Sequence, residues 1–144
     1  MRPRTLAYAA MIALIGGAMA FALVTRSPVG ATVVHVRMPM FTMLKDGGVR
    51  NGYDLRIANK RNRASLFAIS ARGPAGATLS CEGAQTDVGG APVVTVAPDS
   101  DAQFHLLVTL PPGSDVHASA PVSFRVVETE DGETAIASDH VFAP

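Results

Sequence analysis

Apolar residues fall along this chain in two different rhythms. The first is unbroken: from Leu6 to Val24, nineteen residues (LAYAAMIALIGGAMAFALV) pass without a charge, a side-chain amide or a proline. A helix of that length spans about 28 Å, close to the roughly 30 Å hydrocarbon core of a bilayer. The pattern predicts a transmembrane helix over 6–24, with 1–5 before it and a short connector, 25–32, after it. No other stretch has an apolar run of this length.

The second rhythm has a period of two, the signature of strands buried on one face. Val33, Val34 and Val36 open a strand that Pro39 interrupts, and Met40 to Leu44 resume it. Lys45-Asp46-Gly47-Gly48 is a turn, because Asp-Gly favours positive φ at no steric cost. Tyr53, Leu55 and Ile57 then alternate with polar or small residues, and Asn59 to Arg63 make a polar, basic turn. Phe67, Ile69 and Ala71 alternate next and stop at Gly73-Pro74-Ala75-Gly76. Short strands follow at Ala77 to Cys81 and Pro92 to Val96, separated by a polar loop from Gly83 to Gly90. The clearest strand places Phe104, Leu106, Val108 and Leu110 on one face and ends at Pro111-Pro112-Gly113. Val122, Phe124 and Val126 form another, and Asp131-Gly132 turns it back into Ala135 to Phe142. Seven or eight strands at such spacing, with no sustained helical period after Gly30, predict an all-β, immunoglobulin-like sandwich over 33–144. Without a Cys–Trp–Cys core, the likeness is one of architecture.

The apolar run has a second reading. Ala18-Met19-Ala20 resembles a signal-peptidase site, and the segment before the run is basic. The run, however, exceeds the roughly 7–15 apolar residues of a signal peptide and continues through Phe21 to Val24 past that site. A retained anchor is therefore expected. Arg2, Arg4 and the amino terminus outweigh Arg26, which places residues 1–5 in the cytoplasm and the sandwich in the periplasm. Ala9, Ala13 and Gly17 recur every four residues, a seam on which another helix could pack.

Composition narrows the function. A formal net charge of +0 provides no electrostatic basis for nucleic-acid binding. Cys81 is the single cysteine, so this chain supplies no internal disulfide, no CxxC pair and no cysteine-held iron–sulfur cluster. The histidines at 35, 105, 117 and 140 show no H-x-H or H-E-x-x-H spacing. His105 alternates to the polar side of its strand, and Cys81 is expected as a small buried apolar residue. Asp99, Asp101 and the run Glu128-Thr129-Glu130-Asp131 are expected as solvated loop acids. No catalytic, cofactor or metal site is expected, and no cofactor. One local composition stands apart: His35, Met38, Met40 and Met43 put an imidazole and three thioethers within nine residues, and soft thioethers suit Cu(I). On an extended strand His35 and Met43 face away from Met38 and Met40, and the competing expectation is that Met40 fills the core.

The stretch Arg50-Asn51-Gly52-Tyr53, reached through Pro39-Met40-Phe41 and Asp46-Gly47, carries a resemblance. Together with Ala58-Asn59-Lys60, Gly73 to Leu79, Val96-Ala97-Pro98 and Val108 to Pro112, it resembles the C-terminal part of the FixG/CcoG/RdxA family. These are accessory proteins for assembly of cbb-type cytochrome c oxidase. The resemblance implies a last transmembrane helix leading directly into a periplasmic immunoglobulin-like domain, and it assigns Met40 to the core. It also implies partners: the membrane, and oxidase subunits or a protein carrying the ferredoxin-like redox part that this chain lacks. The expected function is thus a non-enzymatic, membrane-anchored assembly module. The alternatives are a periplasmic copper-binding or copper-delivery protein, and a structural sandwich with no oxidase role.

Overall fold

A computed structural model describes residues 3–37, 39–86 and 89–144. The apolar run is one helix, α1 (Pro3–Val24), with no residue buried against the rest of the protein. It is long and apolar enough to cross a membrane. Arg2, part of the orientation argument, lies outside the described residues, as does Met38.

Ten strands follow among the described residues: β1 (Val29–His35), β2 (Thr42–Met43), β3 (Val49–Asn59), β4 (Ser65–Arg72), β5 (Thr78–Cys81), β6 (Gln85–Thr86), β7 (Pro92–Val96), β8 (Ser100–Leu110), β9 (Ser119–Glu128) and β10 (Thr134–Phe142). Two of them, β2 and β6, are two-residue bridges, leaving eight longer strands. β1 opens at Val29, inside the stretch expected as connector, so only 25–28 separate helix from sheet. The first sheet has the order β1-β3-β8-β5, with β2 against the start of β3, and the second has the order β10-β9-β4-β7-β6. All the pairings are antiparallel.

The period-two positions meet between the sheets. Tyr53, Leu55 and Ile57 of β3 and Leu106, Val108 and Leu110 of β8 face Phe67 and Ile69 of β4 and Val122, Phe124 and Val126 of β9. Interdigitation of two such faces is what makes an aligned sandwich stable. The β2–β3 and β9–β10 turns reverse at Gly47 (φ 84°) and Gly132 (φ 72°), a backbone region that other residues enter only under strain. Phe104, expected in the core, is only partly buried. It lies opposite Leu55 on one side, but β5 ends its pairing with β8 at Leu106, leaving Phe104 uncovered on the other.

Candidate functional site

Strand β3 alternates inward at Asn51 as well as at Tyr53, Leu55 and Ile57, so it carries a polar amide into the interface between sheets. A buried amide is costly unless both its ends are hydrogen-bonded. Here the partner is the edge of β10. The Asn51 side-chain amide donates to the Phe142 carbonyl at 2.9 Å, and the Phe142 N–H donates to Asn51 Oδ1, also at 2.9 Å. One side chain of the first sheet thus imitates a strand partner for the second. Two residues on, the Tyr53 hydroxyl donates to the His140 carbonyl at 2.9 Å. The β10 edge, a row of free backbone groups, is closed at this end.

His35 completes the cluster from β1, where it lies opposite Tyr53. Its ring meets Tyr53 edge-on at 4.9 Å and Phe142 at 5.0 Å. Nε2 lies 3.2 Å from Asn51 Oδ1, an atom that only accepts, so Nε2 holds a proton there. Burial, assisted by the charge of Asp139, pushes the Tyr53 phenol well above its ordinary range and keeps it a donor. Outward from this cluster, His35, Arg37, Met40, Asp139 and Phe142 line a cleft of about 240 Å³.

The Arg50-Asn51-Gly52-Tyr53 stretch alternates between the outer and inner faces of β3. Arg50 points outward and donates to Thr109 Oγ1 at 3.4 Å. Asn51 and Tyr53 are the inter-sheet clamp. Gly52 lies under the His105 ring on the outer face, where an added Cβ would meet Cε1 at an ordinary contact distance of 3.4 Å.

The methionine and histidine candidates divide. His35 and Met40 share one cleft, whereas Met43 lines a different one with Gly47, Val49 and Pro111. Met40 is 48% exposed, which corrects the expectation that it packs in the core. The bend after β1 ends the alternation that would have carried it inward. Among the described residues, no group of three or more His, Cys, Asp or Glu side chains is arranged to hold a metal.

Elsewhere, the His105 Nδ1 lies 3.0 Å from Asp54 Oδ1 on the outer face of the first sheet. Cys81 is half-buried, and burial, with the charge of Glu82, raises its thiol pKa, so it is a poor nucleophile. Glu128 corrects the expectation of a solvated loop acid: it is fully buried, and its Oε2 accepts the Asp131 N–H at 2.7 Å. Arg63 lies 3.6 Å from its other oxygen and also pairs with Glu130 and Asp131, while Arg61 pairs with Asp131. Residue-by-residue reading passed over Asn51, took Tyr53 as one of an alternating apolar set, and took Glu128 as a loop acid. Only the resemblance drew attention to Asn51.

Three comparisons bear on this arrangement. Residues 19–144 match the family model FixG_C, the IG-like fold at the C-terminus of FixG. Over 138 residues the chain is 32% identical to nitrogen fixation protein FixG of Rhizobium meliloti, covering 96% of this chain and 24% of the relative. It is 36% identical to protein RdxA of Cereibacter sphaeroides, covering 87% of this chain and 26% of the relative. A match to protein RdxB of the same organism is 42% identical over 57% of this chain and 17% of the relative. The chain thus spans about a quarter or less of the length of these relatives. The crystal structure of a FixG-related protein from Vibrio parahaemolyticus shares the fold, with a TM-score of 0.67 at 15% identity over 81% of this chain and 97% of that one. With the helix, the two sheets and the clamp in place, the match over 19–144 shows that the chain belongs to the FixG C-terminal immunoglobulin-like family.

Proposed function

We propose that the chain acts as a membrane-anchored, periplasmic contact module of an assembly protein for a cbb-type cytochrome c oxidase, without a redox centre of its own. The observation that carries this reading is family membership together with a direct junction between anchor and sandwich. Pro28 is the last residue before β1, and its carbonyl accepts the Lys60 N–H at 3.0 Å, tying the foot of the helix to the β3–β4 turn. A sandwich held that closely works at the membrane surface. Contact rather than chemistry is favoured because the polar groups of the candidate site are engaged in holding β10.

The test is genetic and biochemical. Deleting the coding segment in a bacterium that makes a cbb-type oxidase should lower the amount of active, assembled oxidase, and restoring it should recover that amount. The tagged chain should also co-purify with oxidase subunits from detergent-solubilised membranes. Unchanged oxidase and no co-purification would overturn the reading in favour of a sandwich with no oxidase role. A copper-delivery role has in its favour that His35 and Met40 line one cleft. Against it, that cleft brings one imidazole and one thioether together, while Met43 lines a separate cleft.

A further inference from the structure

The outward positions of β4, β9 and β10 contain no carboxylate, although the whole chain has as many acids as bases. Register sets two arginines side by side there. Ser70 lies opposite Arg125, which lies opposite Ile136; Arg72 lies opposite Ser123, which lies opposite Ser138. Arg72 and Arg125 are therefore diagonal neighbours on adjacent strands, about 7–8 Å apart. Among the described residues neither makes an ion pair, whereas Arg56, Arg61 and Arg63 each meet a carboxylate. Like charges placed together without a counter-charge repel each other, and the fold tolerates this on an exposed, otherwise uncharged face.

Shape adds to charge. The serines between the arginines are short, so the guanidinium groups, with Ile136, wall a hollow of about 430 Å³. Arg72 and Ser123 continue into a larger groove of about 600 Å³, whose apolar wall includes Val116 and Pro121. Its single acid, Asp115, forms no ion pair among the described residues. Ile136 is 59% exposed beside these charges. Paired guanidinium forks bind carboxylates with directional, two-point hydrogen bonds, and a neighbouring apolar surface adds desolvation energy.

We propose that this outer face docks an acidic segment of a protein partner, with carboxylates on Arg72 and Arg125 and an apolar side chain against Ile136. An anionic lipid surface fits less well. β4 starts at Ser65, next to the turn tied to Pro28, and Arg72 lies at its other end, about 23 Å along the strand. A bilayer holding α1 would meet the turn before the arginines. The proposal rests on the reading that the chain acts by contact, whichever complex it contacts.

The test uses the full chain in its native membrane, with the photocrosslinker p-benzoylphenylalanine at Ser123 and, as control, at Gln103 on the other sheet. The Ser123 position should give an adduct whose mapped partner peptide carries at least two Asp or Glu residues, and the control should not. Arg72→Glu with Arg125→Glu should reduce the adduct at least tenfold without shifting the melting temperature, and Arg72→Ala with Arg125→Ala should give an intermediate loss. Reversing the mapped acids to Lys should restore the adduct to the Glu variant. An adduct with lipid, one indifferent to the arginine changes, or none at all would overturn the proposal. If oxidase assembly still fails on deletion of the chain while the adduct ignores both arginines, this face is wrong and the contact reading stands.

Discussion

Asn51 has one donor end and one acceptor end, and Phe142 on the β10 edge offers one of each. Asn51→Ala removes the partners of both part-buried Phe142 groups, so it should cost about 1–3 kcal/mol in chemical unfolding of the chain in non-ionic detergent. Asn62→Ala, in the exposed β3–β4 turn, should cost within about 0.5 kcal/mol. Tyr53→Phe removes only the hydroxyl bond to His140 and should cost about 1–2 kcal/mol. The same phenol makes stability pH-dependent in a known direction. Its folded pKa is raised, so the unfolded chain gives up this proton near the ordinary phenol value of about 10 while the folded chain retains it. Stability should be full below about pH 10 and fall as pH rises beyond it, and Tyr53→Phe should flatten that fall. For Cu(I), a competition titration should find no tight site that depends on Met40 and Met43, since they line separate clefts.

At the level of elements, the two turns at the anchor end are fastened to each other by charge. Arg61 and Arg63 of the β3–β4 turn reach Glu128, Glu130 and Asp131 of the β9–β10 turn. The Arg61 guanidinium holds the Asp131 carboxyl below the usual range, so this contribution is present at neutral pH and lost on acidification through the lowered value. Glu128 is the buried member. Glu128→Gln keeps an acceptor for the Asp131 N–H, whereas Glu128→Ala strands that N–H and opens a void. The alanine variant should lose about 2–3 kcal/mol more than the glutamine variant in the same unfolding measurement. Core positions follow the strand that covers them. Phe124→Ala, at a site with no exposure, should cost about 3–5 kcal/mol, and Phe104→Ala clearly less, because β5 stops short of it.

For the whole molecule, the short break between α1 and β1 matters most. Four residues, 25–28, join the two, and the Lys60–Pro28 hydrogen bond fastens the last of them to the β3–β4 turn. A reporter fused after Pro144 should be active only on the periplasmic side, and the protein should remain in the membrane after carbonate washing. Recovery of a soluble form beginning near Phe21 would show instead that the apolar run is a cleaved signal.

Periodicity determined a good deal by itself. An apolar run of nineteen residues is too long for a buried strand and satisfies its own backbone as a helix, and period-two alternation bounded by Gly, Pro and Asp-Gly favours strands and turns. Helix α1, strand β7 over Pro92 to Val96, the Asp131-Gly132 turn and the inward set of β3 were legible for that reason. What sequence order could not reveal was which strand edge an inward polar residue would meet. Asn51 looks like a defect in an alternating strand until β10, about ninety residues later, presents two backbone groups to it. Glu128 reads as a loop acid until the hairpin folds its own N–H onto it. Met40 reads as core until the chain bends away after β1. In the same way, Arg72 and Arg125 become neighbours only when β4 and β9 pair in register. Local patterns set what each segment can form, because they follow from backbone geometry and solvent; partners distant in sequence are set by packing, which only the assembled sandwich specifies.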